Sequence, residues 1–306
     1  MFDTSDEPLG DALRLQHQTT SGARSRLTLL HITRSRLIRR FSRHRLFLTG
    51  LVLFCSMVLI ALFAGLLARH PIEEKYASLA TPSTQYFFGT DDFGRDVFSR
   101  VLFGARISLG IGFSVVLTCG IVGTALGSVS GYFRKLDNLI MRIVDALMAF
   151  PAVLLALGIG AMLGPSEVNA IIALAIVYTP GTARIVRASV LVIREKLYVE
   201  GATAFGASPW RILVRHVLPN SLAPLIVQLT FVFAYAILAE AILSFLGVGP
   251  PPPIPTWGNT IAEGRNYITV APWIAFYPGI FIAATVLGLN LLGDGLRDVL
   301  DPRLVS

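Results

Sequence analysis

The sequence predicts an all-α polytopic membrane protein with six transmembrane helices. Three observations carry that prediction. Of the 306 residues, 54% are apolar and only 15% charged, and the mean hydropathy of +0.66 lies outside the globular range. Six apolar segments, at 46–68, 107–133, 143–163, 168–193, 222–246 and 273–292, approach or exceed the roughly 20 residues a helix needs to cross a bilayer. The residue-by-residue alternation of an outer-membrane barrel strand is absent. A helix is then the form that pairs all backbone groups within its own segment.

Residues 1–45 form an Arg-rich N-terminal segment, and 46–306 form one six-span domain. The arginines at 24, 26, 34, 36, 39, 40, 43 and 45 precede the first apolar run and fit an anchor on anionic lipid head groups at the cytoplasmic surface. The net charge of +7 is concentrated beside apolar runs in this way, so its counter-charge is lipid rather than nucleic acid. The run at 46–68 starts behind a long polar stretch and is too long for the apolar region of a signal peptide. It reads as a span that stays in the membrane.

The second span carries Gly123, Gly127 and Gly131 four apart, with Gly120 and Ser128 beside them. Small residues at that spacing admit another helix at close range. Ahead of this span, the segment 88–100 pairs Asp91 with Arg95 and Asp96 with Arg100 at i,i+4 spacing, which suits an interfacial helix with its charges on the wet side. Between spans five and six, Pro250 to Pro253 and Pro255 predict a stiff extended spacer, with Trp257, Tyr267 and Trp273 as interface anchors. Cys55 and Cys119 lie in different apolar runs and read as small core residues, not as a disulfide or metal pair.

Lys and Arg set the orientation. With a cytoplasmic N-terminus, the inside segments 1–45, 134–142, 184–215 and 297–303 hold nine, three, six and two of the 26. The outside segments 69–106 and around Arg265 hold five and one. Both termini and the loop 194–220 therefore fall in the cytoplasm.

That loop is a polar stretch between two apolar ones and reads as a docking element for a soluble partner. Residues 198–205 suit two helical turns. Gly201, Ala202 and Ala204 keep their surface low, and Glu200 is the exposed charge. Gly206 suits a helix stop, and Ser208 with Pro209 suits the start of a second helix over 209–217. In that helix Trp210, Leu213 and Val217 share one side and Arg211 and Arg215 another. Pro219 is expected to break it, with Asn220 capping span five.

Glu200, Ala202, Gly206, Leu218 and Pro219 fall on the pattern of the "EAA" loop of permease subunits of binding-protein-dependent ABC importers. Gly201 and His216 depart from it, standing where Ala and Ile are usual. The stretches 89–106, 244–258 and 290–302 resemble signatures of the C-type permease of dipeptide, oligopeptide and nickel importers. The resemblance covers most of 30–306 and leaves residues 1–30 outside. It implies the type I, MetI-like permease fold in a bacterial inner membrane. It also implies a B-type permease partner, two ATPase subunits docked on the cytoplasmic loop, and an external solute-binding protein that sets solute choice. The ATPase-coupling residues it implies are Glu200, Gly201, Ala202, Gly206, Leu218 and Pro219.

The chain lacks the means to hydrolyse ATP itself. Its only lysines, Lys75, Lys135 and Lys196, follow Glu, Arg and Glu, so none belongs to a phosphate-binding P-loop. No cofactor or metal pattern appears. The competing reading is an ion-driven secondary transporter, which needs ionisable groups deep in the membrane. Two candidates exist. Asp145 follows Arg142 by three and is expected to pair with it. Glu240, in the outer half of span five, either contacts the solute along the translocation pathway or pairs with a neighbouring helix.

Overall fold

A computed structural model describes residues 41–42 and 44–300. Most of the Arg-rich segment and the end of the 290–302 signature lie outside the described residues. The regular structure among the described residues is helical, with a single isolated bridge between Thr90 and Asp96. In chain order the helices are α1 (Arg45–Leu62), α2 (Ala64–Leu67), α3 (Val97–Tyr132), α4 (Arg134–Met148), α5 (Ala152–Leu163), α6 (Glu167–Arg194), α7 (Leu197–Ala204), α8 (Pro209–Ile212), α9 (Leu218–Phe245), α10 (Trp257–Gly264) and α11 (Trp273–Leu300).

Five helical stretches are long and apolar enough to cross a membrane: α1, α3, α6, α8 through α9, and α11. The segment expected as a straight third span at 143–163 is instead a bent pair, α4 and α5, turning by 91° between them. The break falls at Pro151, whose ring cannot continue a helix and pushes the preceding residue out of helical geometry. Counting the pair as one crossing gives six.

The small-residue stripe does what its spacing predicts. A Cβ on Gly123 would lie 2.8 Å from Thr182, one on Gly127 2.4 Å from the Ala183 carbonyl, and one on Gly131 2.8 Å from Val190. α3 and α6 thus touch backbone to side chain along three turns. A second close crossing, unmarked by any stripe, joins α1 to α11: a Cβ on Gly50 would meet Leu292 N at 2.4 Å. α9 runs between α3, α6 and α11 as the central helix. On the side of α6 nearest the basic loops, Arg187 grips Asp137 through Nε and Nη2, both at 2.6 Å, and Arg184 reaches Asp145 at 2.6 Å. Asp145 therefore pairs across helices and not with Arg142, because α4 lies against the end of α6.

The outer segment differs from expectation in a further way. α3 begins at Val97, ten residues before the predicted span, because Asp96 caps it: Ser99 N and Ser99 Oγ donate to Asp96 Oδ2 at 2.9 and 2.6 Å. Residues 88–96 form no interfacial helix. They fold into a loop whose charges turn inward. Arg95 Nε meets Asp91 Oδ2 at 2.6 Å, and Arg95 and Arg100 each place an Nη2 at 2.8 Å from Glu263 Oε2 on α10. Asp91 and Arg100 are fully buried. Trp257 is likewise core, not an interface anchor: it is completely buried and donates from Nε1 to the Val101 carbonyl at 3.0 Å. Cys119 is buried as expected, whereas Cys55 is exposed on α1.

Candidate functional site

The loop 194–220 is built outward from the cluster that anchors it, against which Ala202 and Ala207 also pack. Val199 on α7 is buried in a cluster with Val186 and Val190 of α6, Ile212 and Leu213 after Pro209, Val217, and Leu225 of α9. The other large side chains of α7 and its exit turn face away from the chain. Leu197 is 85% exposed and Phe205 95%, with Tyr198 and Trp210 half exposed beside them.

α7 ends in a paired-carbonyl stop. Ala207 N donates to the Ala202 carbonyl at 3.1 Å and Gly206 N to the Thr203 carbonyl at 2.9 Å. This Schellman arrangement requires a left-handed residue at the turn, and Gly206 supplies it with φ +79°. Ala202 and Gly206 are thus two ends of one turn, which is a local reason for their spacing. Glu200 is exposed, and Gly201 has open space where a side chain would stand. Between α7 and α8, Ser208 makes no capping side-chain bond, while Pro209 takes the first helical position.

Pro219 does not break the second helix. α8 widens into a π turn over Leu213–Val217, in which Leu218 N reaches back to the Leu213 carbonyl, and the chain continues directly into α9. The wider turn accommodates the proline that an α-turn would not. Asn220 donates from Nδ2 to the His216 carbonyl at 2.6 Å instead of capping a new helix. Leu218 is half-buried and Pro219 exposed. The loop's second helix is therefore the outer end of a continuous helix whose other end crosses the bundle. Phase also departs from expectation: Ile212 is buried with Leu213 and Val217, while Trp210 turns outward against Phe133, ring centroids 5.4 Å apart.

Glu240 is fully buried in α9. Its Oε1 accepts from Ser244 Oγ at 2.7 Å, and its Oε2 has no hydrogen-bond partner. None of the described grooves includes it.

The chain matches the family described as binding-protein-dependent transport system inner membrane component over residues 123–306. It belongs to that family. Residues 34–84 match a second description, the N-terminal transmembrane domain of oligopeptide transport permease C. A putative peptide transport system permease protein of Brucella abortus is 53% identical over 268 residues, 87% of this chain and 90% of that protein. A dipeptide transport system permease protein of Alkalihalophilus pseudofirmus is 47% identical over 271 residues, covering 88% and 89%. A glutathione transport system permease protein of Pectobacterium atrosepticum is 42% identical, covering 88% and 90%. Among solved structures, an inward-facing methionine ABC transporter, MetNI, aligns with a TM-score of 0.55 at 20% identity, over 66% of this chain and 96% of that one. That likeness concerns the fold, which is MetI-like. This permease is the membrane component of an ABC importer of the C type and is not itself the catalytic subunit.

The sequence reading paired Asp91 with Arg95, as found, but overlooked that Glu263 joins Arg95 and Arg100 and that the group turns inward. Glu263 lies 163 residues beyond Arg100, so no spacing rule links them. It also overlooked Leu197 and Phe205, whose exposure depends on α7 turning Val199 and Ala202 toward the cluster.

Proposed function

We propose that this chain is the C-type half of a peptide importer. It would pair with a B-type permease to enclose the pathway, receive short peptides from an external binding protein, and be driven by two ATPases docked against the loop 194–220. The names of its relatives support the solute class: peptide, dipeptide and glutathione, itself a tripeptide. The positive-inside charge pattern supports cytoplasmic termini and a cytoplasmic loop.

One observation carries the docking assignment. Leu197 and Phe205 stand almost wholly exposed beside a two-turn helix whose contacts with the cluster are made by Val199 and the half-buried Ala202. Large apolar side chains clustered in this way mark an interaction surface. Glu200, Gly201, Ala202 and Gly206 form and flank that helix, and Leu218 and Pro219 open α9 directly after the π turn. Motion of a docked ATPase would then pass along the continuous α8–α9 helix to the bundle centre.

The test uses the complex purified from membranes. Phe205→Ser removes an exposed anchor, and Ala202→Trp adds volume to a half-buried position. Either change is expected to cost about 1–3 kcal/mol at the interface and to lower ATPase co-purification about tenfold, with normal membrane abundance of the permease. Wild-type ATPase recovery and peptide-stimulated ATP hydrolysis in both variants would return the loop to an ordinary connector.

A further inference from the structure

A groove of about 570 Å³ opens between α6, α9 and the end of α11, on the side of the bundle that carries the 194–220 loop. Its walls differ from those of the cleft on the far side of α6. The cleft bounded by Val122, Ile143 and Ile176 is almost wholly apolar. This one holds Asn220, Gln228 and Arg297 among Ile185, Pro224 and Phe231. Gln228 and Asn220 are eight residues apart on α9, about 12 Å along a helix, and share a face.

Three details make the groove receptive to a polar ligand. The Gln228 amide has no hydrogen-bond partner among the described residues. It lies beside Gly181 of α6, where a Cβ would stand 3.7 Å from its Nε2 at ordinary van der Waals distance, so α6 flanks the amide without crowding it. Pro224 lacks an N–H and so removes the i→i−4 bond that the Asn220 carbonyl would otherwise accept, on the same groove. At the cytoplasmic mouth the exposed Arg297 makes no ion pair among the described residues. One turn or more deeper, Tyr178 and Tyr235 stack at 6.5 Å, with Tyr178 Oη donating to the Tyr235 carbonyl at 3.4 Å. They extend the same face toward the middle of the bilayer.

An unpaired amide is costly against lipid tails, and a carbonyl without its helical N–H partner and an exposed guanidinium at the mouth belong to the same polar face. They suit a wet surface that meets peptide backbone and a terminal carboxylate. We infer that the α6–α9 groove, centred on Gln228 with Asn220 and Arg297 toward the cytoplasm, is this subunit's contact surface for the peptide in transit. Gln228 can donate to a peptide carbonyl and accept from a peptide N–H, so it recognises backbone independently of side chain. Arg297 would attract the carboxylate at the exit. The inference rests on the importer reading of the preceding section and assigns the pathway to a face that excludes Glu240.

The assignment is tested in the whole importer reconstituted in vesicles, with Cys55→Ala as background. Gln228→Cys is expected to react with a membrane-impermeant thiol reagent, with transported dipeptide slowing the reaction several-fold. Leu62→Cys, on the outward face of α1, is expected to stay unlabelled. Gln228→Leu is expected to lower ATP-driven dipeptide uptake about fivefold to tenfold, the loss of one hydrogen bond to the moving solute, while ATPase co-purification stays normal. Gln228→Asn is expected to recover part of the uptake. A Gln228→Cys as inert as Leu62→Cys would assign the groove to lipid. Quantitative cross-linking of that cysteine to the second permease, unchanged by peptide, would assign it to a subunit contact. Either result, or full uptake by Gln228→Leu, overturns the inference. Failure of the importer reading is separate: the wild-type complex would then show no ATP-driven dipeptide uptake at all.

Discussion

Gly206 illustrates what a single residue makes legible. Its need is local: the turn after α7 has φ +79°, and a side chain there costs about 1–2 kcal/mol. Glycine followed by Ser208-Pro209 is therefore readable as a stop and a restart before any fold is known. Gly206→Val is expected to loosen the turn by that amount, whereas Gly206→Asn, which tolerates a left-handed backbone, is expected to be milder. Limited proteolysis of the loop in the purified complex orders them: Val cleaved faster than Asn, and Asn faster than wild type. Equal cleavage of all three would show that the turn is not held by its backbone conformation. Burial was less legible at this scale. Trp210 and Ile212 are two residues apart and exchange roles relative to the helical pattern, since Val199, a contact from outside that helix, fixes the phase. Trp257 and Cys55 err in opposite directions for the same reason. An apolar or aromatic residue near the membrane has two apolar environments available, lipid and protein, and its type does not choose between them.

At the scale of elements, the helices were readable from hydropathy and the α3–α6 contact from the glycines at 123, 127 and 131. The bend at Pro151 and the smooth passage at Pro219 were not. Both prolines interrupt the same hydrogen-bond ladder. The first ends a helix at a corner of the bundle, and the second is absorbed by a π turn that Leu213 and Val217 hold in the core. The outer charges were misread because i,i+4 spacing was taken as surface pairing. Here Asp91, Arg95 and Arg100 converge on Glu263 and tie α3, its preceding loop and α10 together. With two charges of each sign, removing one leaves a buried guanidinium without its partner. Glu263→Ala is therefore expected to destabilise the outer face by about 3–5 kcal/mol, and Glu263→Gln, which keeps an acceptor, by less. Thermal unfolding of the detergent-solubilised complex measures both. If Glu263→Ala melts with the wild type, these charges are solvated and the group is not a clasp.

At the scale of the whole molecule, the function depends on parity. Twenty of the 26 Lys and Arg residues fall on the cytoplasmic side only if α4 and α5 together count as one crossing. If the bent pair instead dipped in and returned, α6 would start in the cytoplasm. The loop 194–220, with six of those charges in and just before it, would then emerge outside, beyond reach of any ATP-hydrolysing partner. The turn between α5 and α6 decides between the two. Pro165 is exposed there, next to Gly164 with φ +85°. In a Cys55→Ala background, Pro165→Cys in intact cells is expected to react with an impermeant thiol reagent from outside, as are cysteines at Glu74 and Thr269. A reporter active only in the cytoplasm, fused after Arg303, is expected to be active. Labelling of Pro165→Cys only after the membrane is opened would make the pair re-entrant and leave five crossings. With the N-terminus inside, α11 would then end outside and the Arg303 fusion would be silent. Three crossings, α6, α9 and α11, separate Pro165 from Arg303, so the two measurements must change together, and a split result would mean that one of those three helices does not cross. The cysteine at Glu74, separated from the N-terminus by α1 alone, tells the two joint outcomes apart: it stays reactive from outside if the pair is re-entrant and becomes protected if the N-terminus lies outside.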